Sequence, residues 1–167
     1  MMEKVIRNYL EIKSLEELIK VEKPNTNYNL EKISSYDYQL NKFFYKQIGK
    51  NHKWIDRLSW TDKHWIKYVS NPSLLTFVLK NKDDIAGYFE IIYHKDKFEA
   101  EIAYFGILEE YQNKKLGSYL LSEAIKKSFD KNINRVWAHT CSLDHKNALN
   151  NYMARGMKIF KTETVII

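Results

Sequence analysis

Residues 110–121 read EYQNKKLGSYLL, a polar run with a single glycine that ends against the start of an apolar stripe. From Leu116 onward, Leu120, Leu121, Ala124 and Ile125 recur at helical spacing while Ser122, Glu123, Lys126 and Lys127 fall on the far side, which predicts an amphipathic helix packed on a sheet. Residues 100–108 before it, and RVWAHTC (135–141) after it, have the length and composition of strands. Strand, crossover helix and strand in that order make the two strands parallel neighbours. Ligands of α/β sheets bind in the crevice at the carboxyl ends of such strands, and QNKKLGS lies at its mouth. A helix start offers unpaired backbone N–H groups and partial positive charge, so the stretch reads as a phosphate cradle. It reads equally as a helix with a solvated first turn, in which Gly117 only eases packing on a strand.

Outward from this unit, LLTFVLKNKDDIAGYFEIIYH (74–94) holds two strand-like runs, 74–79 and 85–93, joined by a polar NKDD turn. With residues 100–108 they form an antiparallel meander. Toward the N-terminus, residues 5–12 and 28–33 read as strands, 15–19 as a helical turn, and 38–47 and 62–69 as helices bearing Phe43, Phe44 and Trp65. Toward the C-terminus, Asp144 is placed to cap a helix whose Ala148, Leu149 and Tyr152 face inward, and Gly156 stands where a helix takes a left-handed C-cap. MKIFKTETVI closes the chain as a strand or strand pair. The fold class expected is α/β (α+β): a mixed, largely antiparallel sheet of about six to seven strands with helices on both faces. All 167 residues read as a single domain, with a cofactor-binding core at about residues 74–160.

A chain with 44% apolar residues and no Pro/Gly-rich tract is expected to bury one core. No apolar run approaches the roughly 20 residues of a membrane span, so the reading is a cytoplasmic protein with no membrane partner. Its one cysteine, Cys141, leaves no internal disulfide to form and agrees with a reducing compartment. The net charge of +6 is carried by 27 basic residues of which only four are Arg, scattered along the chain; nucleic-acid readers favour clustered Arg and aromatic platforms, which disfavours nucleic acid as partner. A homodimer is left open.

Gln112-Asn113-Lys114-Lys115-Leu116-Gly117-Ser118 resembles motif A of the GNAT superfamily of N-acetyltransferases, Gln/Arg-x-x-Gly-x-Gly/Ala, with Lys115 in place of the first glycine. That substitution either holds the backbone farther from a pyrophosphate or adds a charge contact to it. The following helix, His145-x-x-Ala148-x-x-x-Tyr152-x-x-x-Gly156-Met157, resembles the superfamily's Asn-x-x-Ala-x-x-x-Tyr-x-x-x-Gly-Phe, with His145 and Met157 replacing Asn and Phe. The resemblance covers about residues 74–160. FFYKQIGKNHKWIDRLSW (43–60) is similar to one bacterial branch of uncertain substrate.

What the resemblance implies is transfer of acetyl from acetyl-CoA, without a metal, to a small-molecule or peptide amine. Gln112, Asn113, Lys114, Lys115, Leu116, Gly117 and Ser118 would hold the pyrophosphate, and His145 would reach the cofactor arm. Ile107 and Leu108 would offer backbone N–H groups to the thioester oxygen, with Phe105 and Ile107 pairing the pantetheine like an added strand. Tyr152 resembles the tyrosine that protonates the departing thiolate; as a bare residue on a helix stripe it reads as core. Glu101, eleven residues before Gln112 and expected to share a face with Ala103, Phe105 and Ile107, is the first candidate base, or else an exposed, ion-paired strand residue. Glu90 and His139 stand in reserve. Trp54, Asp56, Arg57 and Trp60 read as acceptor walls or as a helix-packing cluster. HTCSLDH (139–145) fits no common zinc spacing, and Cys141 has no orienting partner as a nucleophile. A non-catalytic acyl-CoA-binding or sensor module on the same fold is the alternative.

Overall fold

The alternation through residues 74–108 becomes three long antiparallel strands, β3 (Leu74–Asn81), β4 (Asp84–His94) and β5 (Glu99–Ile107), in a computed structural model that describes residues 2–34 and 37–167. With β1 (Lys4–Ile12), β2 (Tyr28–Lys32), β6 (Arg135–Cys141) and β7 (Lys158–Ile166) they form one seven-stranded sheet of order β2-β3-β4-β5-β6-β1-β7. MKIFKTETVI is therefore one strand, not a pair. β1 lies antiparallel between β6 and β7, and β5–β6 is the parallel pair. Among the described residues no helix is long and apolar enough to cross a membrane.

Helices α1 (Tyr38–Gly49) and α2 (Asp62–Val69) cover one face, and α3 (Leu116–Ser128) and α4 (Ala148–Ala154) the other. On α3 the predicted stripe Leu116, Leu120, Leu121, Ala124 and Ile125 is fully buried with Phe89, Ile91, Ala100 and Ile102 of the sheet. Each such side chain contributes about 1.5–3 kcal/mol by leaving water, so the stripe alone fixes α3 on this face. On the opposite face Phe44 of α1 stacks on Tyr88 of β4 with ring centroids 4.7 Å apart. Gly156 ends α4 with φ +102°, and a Cβ there would stand 2.3 Å from the carbonyl oxygen of Glu17, so the chain turns here only with glycine.

Two local features set up the site. Glu90 lies opposite Tyr104 and Ile91 opposite Ile102, so β5 carries one extra residue, Ala103, and bulges. The bulge shifts the alternation: Ala100, Ile102, Phe105 and Ile107 point toward α3 and α4, whereas Tyr104 packs under α1. Glu101 accordingly shares its face with Tyr104, which corrects the expectation that it lies beside Phe105 and Ile107. The second feature is the parallel pair itself. β5 and β6 are bonded only at Glu99–Arg135, Ala100–Val136 and Glu101–Trp137, and beyond that point the strands splay.

Candidate active site

Because β5 runs on to Ile107 and β6 to Cys141 without pairing, the sheet opens a wedge with one unbonded strand edge on each side. A cavity of about 550 Å³ fills it. Leu108 donates its N–H to the Ala86 carbonyl at 2.8 Å and accepts from Tyr111 N–H at 2.9 Å, so alternation along β5 turns the backbone of Ile107 and Phe105 toward the wedge. Phe105 and Ile107 line the cavity, while Leu108 does not and has no backbone group to spare.

At the wide end stands the motif of the opening stretch. Gln112, Asn113, Lys115, Leu116, Gly117 and Ser118 line the cavity; Lys114 does not, and its side chain is exposed. Asn113 and Lys115 take left-handed backbone, φ 63° and 62°, and Lys115 is the residue from which α3 starts. Two left-handed residues this close curl the chain so that the first N–H groups of α3 face the opening rather than a preceding turn. A Cβ on Gly117 would meet only Asn151 Nδ2, at 3.8 Å. Packing therefore does not demand that glycine; what it leaves clear is the space at the helix start. Asn151, not foreseen from the sequence, donates from Nδ2 to the Gly117 carbonyl at 3.1 Å and so locks α4 to the first turn of α3.

Tyr152 is buried on α4, lines the cavity, and sets its ring edge-on to Phe105 at 6.3 Å. Its hydroxyl makes no hydrogen bond among the described residues, and burial, then the negative charge of Asp144, push its pKa far above the ordinary value. It is a proton donor that stays loaded. His145 also lines the cavity; its Nδ1 accepts the Asn147 N–H at 3.2 Å, which leaves Nε2 as the protonated, outward nitrogen. Asp144 does not cap α4, whose N-cap is Asn147 with no side-chain bond. The Asp144 carboxylate instead takes the Thr140 hydroxyl and the Cys141 N–H at the end of β6, and the Trp54 indole at 3.4 Å.

That last bond ties the wedge to residues 50–61, the loop between α1 and α2, which brings His52, Lys53, Trp54, Ile55 and Asp56 to the cavity. Trp54 packs on Tyr104 at 4.9 Å, and His52 Nδ1 lies 3.3 Å from the Leu143 carbonyl. Sequence periodicity carries no trace of this loop's position, because contacts across some 90 residues fix it.

The candidate bases separate sharply. Glu90 is 0% exposed and fully engaged: its carboxylate receives Arg57 at 3.1 Å, the Tyr68 hydroxyl at 2.6 Å and the Asn41 amide at 2.8 Å. Arg57 lies within 5.6 Å of the ring centroids of Tyr45, Trp60, Trp65, Tyr68 and Tyr104. Arg57 and Trp60 are thus packing elements outside the cavity, and Trp54 and Asp56 are walls of it. Glu101 is not among the lining residues; its carboxylate lies 3.0 Å from His94 Nε2. His139 lines the cavity on β6, where its ring reaches solvent beside Tyr9. Desolvation, then the nearby Arg7 guanidinium, hold its pKa below the ordinary imidazole value, while Glu101, Asp144 and Asp56 oppose that shift. Burial pushes the Cys141 thiol up, away from the nucleophilic thiolate. Among the described residues no group of three His, Cys, Asp or Glu side chains is placed to hold a metal ion.

Known proteins share this fold. None of the curated proteins matches the sequence. Among solved structures, a functionally unknown conserved protein from Staphylococcus epidermidis superposes with a TM-score of 0.65 at 16% identity, over 99% of this chain and 62% of its own. An aminoglycoside acetyltransferase from an uncultured soil metagenomic sample gives 0.65 at 15% identity, over 80% of this chain and 90% of its own. A GCN5-related N-acetyltransferase from Sphaerobacter thermophilus gives 0.73 at 13% identity, over 97% of this chain and 50% of its own. This chain thus spans less than two thirds of the first and third of these, and at such identities the likeness is one of fold. The sequence model of the acetyltransferase (GNAT) family matches residues 36–157 of the 167. The chain belongs to the acetyltransferase (GNAT) family.

Proposed function

We propose that the protein transfers acetyl from acetyl-CoA directly to the amine of a small molecule or peptide, both bound at once in the wedge between β5 and β6. The observation that carries this reading is the wedge itself: an unbonded strand edge, a curled helix start and an unpartnered buried tyrosine open on one cavity. The residues fit the cofactor. Gly117 leaves open the space that a phosphate needs, Lys115 adds a cation, and the Phe105 and Ile107 backbone can pair with an amide-bearing arm as a further strand would. His145 Nε2 is a donor toward the same end. When bound, the thioester supplies the acetyl group and a thiolate leaving group.

The chain's own residues handle the protons. An alkyl ammonium is only about 0.04% neutral at pH 7, so a base raises the reactive fraction at the moment of transfer. His139, whose pKa is held below the ordinary imidazole value, receives that proton; Glu101 acts only indirectly, its charge keeping the imidazole basic against Arg7. Tyr152 Oη holds the proton for the leaving sulfur. The Ile107 backbone N–H, preorganised on the strand edge, is the donor for the carbonyl oxygen. The rate should therefore rise with pH through a step below 6.5. His139→Gln should abolish that step, and Glu101→Gln should move it to lower pH, since removing a negative neighbour lowers the imidazole pKa.

Acetyl-CoA at 100 times its dissociation constant should stabilise the fold by about 2.7 kcal/mol, read as a rise in melting temperature. Gly117→Glu should erase that rise while leaving the unliganded fold intact, because it sets a carboxylate at the helix start. No shift at millimolar acetyl-CoA would end this reading. A shift without CoA release, against a panel of amino acids, polyamines, aminoglycosides and peptides, would leave a binding module.

A further inference from the structure

The wall of the cavity contains an arginine that the fold pairs only loosely. Of the four arginines, Arg57 and Arg135 each pair closely with carboxylates, and Arg155 is not part of the cavity wall. Arg7 is in that wall, on β1 opposite Cys141. Its nearest carboxylate, Glu163, stands 3.8 Å away and is already bonded to the Tyr9 hydroxyl at 2.7 Å and paired with Lys161 at 3.4 Å. The Arg7 Nε is buried without a hydrogen-bond partner, and the side chain is 30% exposed. Tyr9 and Glu163 support its charge without a close ion pair, and the exposed part of the guanidinium can offer a planar anion in the cavity parallel N–H···O bonds.

A second charged group lies in the same wall. Asp56 is exposed to the cavity and makes no hydrogen bond or ion pair among the described residues. It is held in place by its neighbour: Arg57 is sunk in the aromatic cage, and its backbone N–H donates to the Tyr45 hydroxyl at 3.0 Å. Arg7, Asp56 and His139 all line the one cavity, and the charges of Arg7 and Asp56 act on the imidazole with opposite signs. Lys53, the other cation of this wall, is paired with Glu3.

We infer that the acceptor is an amine that itself bears a carboxylate near the nitrogen, as an α-amino acid does: Arg7 reads the carboxylate, Asp56 draws in the ammonium, and His139 takes its proton. Arg7 is then a specificity-determining residue, and an amine without the carboxylate is disfavoured because it forgoes those bonds. The inference rests on the acyltransfer reading above, and the test separates the two. Phenylalanine, leucine and lysine are compared with phenethylamine, isoamylamine and cadaverine, their decarboxylated counterparts, by CoA release in the wild type, Arg7→Gln and Arg7→Lys. The N-acetyl forms of both series are also titrated calorimetrically into each protein saturated with CoA, a readout independent of turnover. For the wild type, kcat/KM should favour the amino acids by on the order of 100-fold. Arg7→Gln should raise the KM of the amino acids about 10- to 100-fold and that of the plain amines far less, move the acidic limb of the pH–rate profile to higher pH for both series as His139 loses a cationic neighbour, and keep CoA affinity, which also shows that the variant folds; Arg7→Lys should recover part of the KM loss. Equal turnover of both series, or an equal effect of Arg7→Gln on the KM of both, overturns the inference and leaves acyltransfer standing. Arg7-dependent binding of N-acetyl amino acids with no CoA release keeps the inference and removes the transfer reading. Binding of neither series overturns the inference.

Discussion

Under α1 and α2, the buried carboxylate of Glu90 is met by Arg57, Tyr68 and Asn41, and Arg57 in turn by five aromatic rings; in the wedge, the Tyr152 hydroxyl, the Arg7 Nε and the Asp56 carboxylate have no such partner among the described residues. Both regions carry charge into the protein, yet the Glu90 carboxylate closes its hydrogen bonds internally, with only the nearby Tyr88 hydroxyl left over, while the wedge groups face the cavity open. The bonds of Arg57 anchor the loop 50–61, which presents Trp54 and Asp56 to the wedge.

The contrast can be broken most directly at Arg57. Arg57→Ala strands the Glu90 carboxylate at 0% exposure and should cost about 3–5 kcal/mol in chemical denaturation, whereas replacing both partners together, Arg57→Met with Glu90→Leu, should cost far less. A loss under about 1 kcal/mol from Arg57→Ala would show the cage to be ordinary packing. Tyr152→Phe should do the reverse. Its hydroxyl has no protein bond to lose, so unfolding free energy should shift by less than about 1 kcal/mol while kcat falls on the order of 10- to 100-fold with unchanged acetyl-CoA affinity. Weakened cofactor binding at constant kcat would make it a packing residue.

Smaller effects test the rim. Lys115 pays for its left-handed backbone, so Lys115→Gly should raise stability by about 0.5–1 kcal/mol in thermal unfolding and weaken acetyl-CoA by less than tenfold as the cation is lost. Cys141→Ala should change turnover least of all, and no acetyl adduct should appear on the intact protein by mass, because the raised thiol pKa leaves little thiolate to carry one.

Much of the frame could be read from residue order. The stripe Leu116–Leu120–Leu121–Ala124–Ile125 and the alternation of β3, β4 and β5 are local patterns, and local patterns survive into the fold. The two gapped motifs placed Gly117, Lys115 and Tyr152 at the cavity for the same reason. What could not be read was set by distant contacts or by single-residue irregularities. The extra residue Ala103 turns Glu101 to the opposite face from Phe105, and no composition signal marks a bulge. Asp144, which has the chemistry of a helix cap, is taken by Thr140, Cys141 and Trp54 instead. Arg7 comes to the wedge only because β1 pairs with β6, more than 120 residues away.

The placement of β1 between β6 and β7 also constrains how the molecule is made. As a ribosome releases the chain, β1 emerges first, yet every strand it pairs with lies within residues 135–166. The meander β3-β4-β5 can collapse with α3 while synthesis continues, since its contacts are close in sequence. β1 meanwhile waits, a mixed polar and apolar strand with both edges open until residues 135–166 have emerged. Slowing elongation after β5 should therefore lengthen exposure to chaperone capture without disturbing the meander, and moving residues 2–12 behind β7 through a flexible linker should speed refolding by shortening the loop that β1 must close.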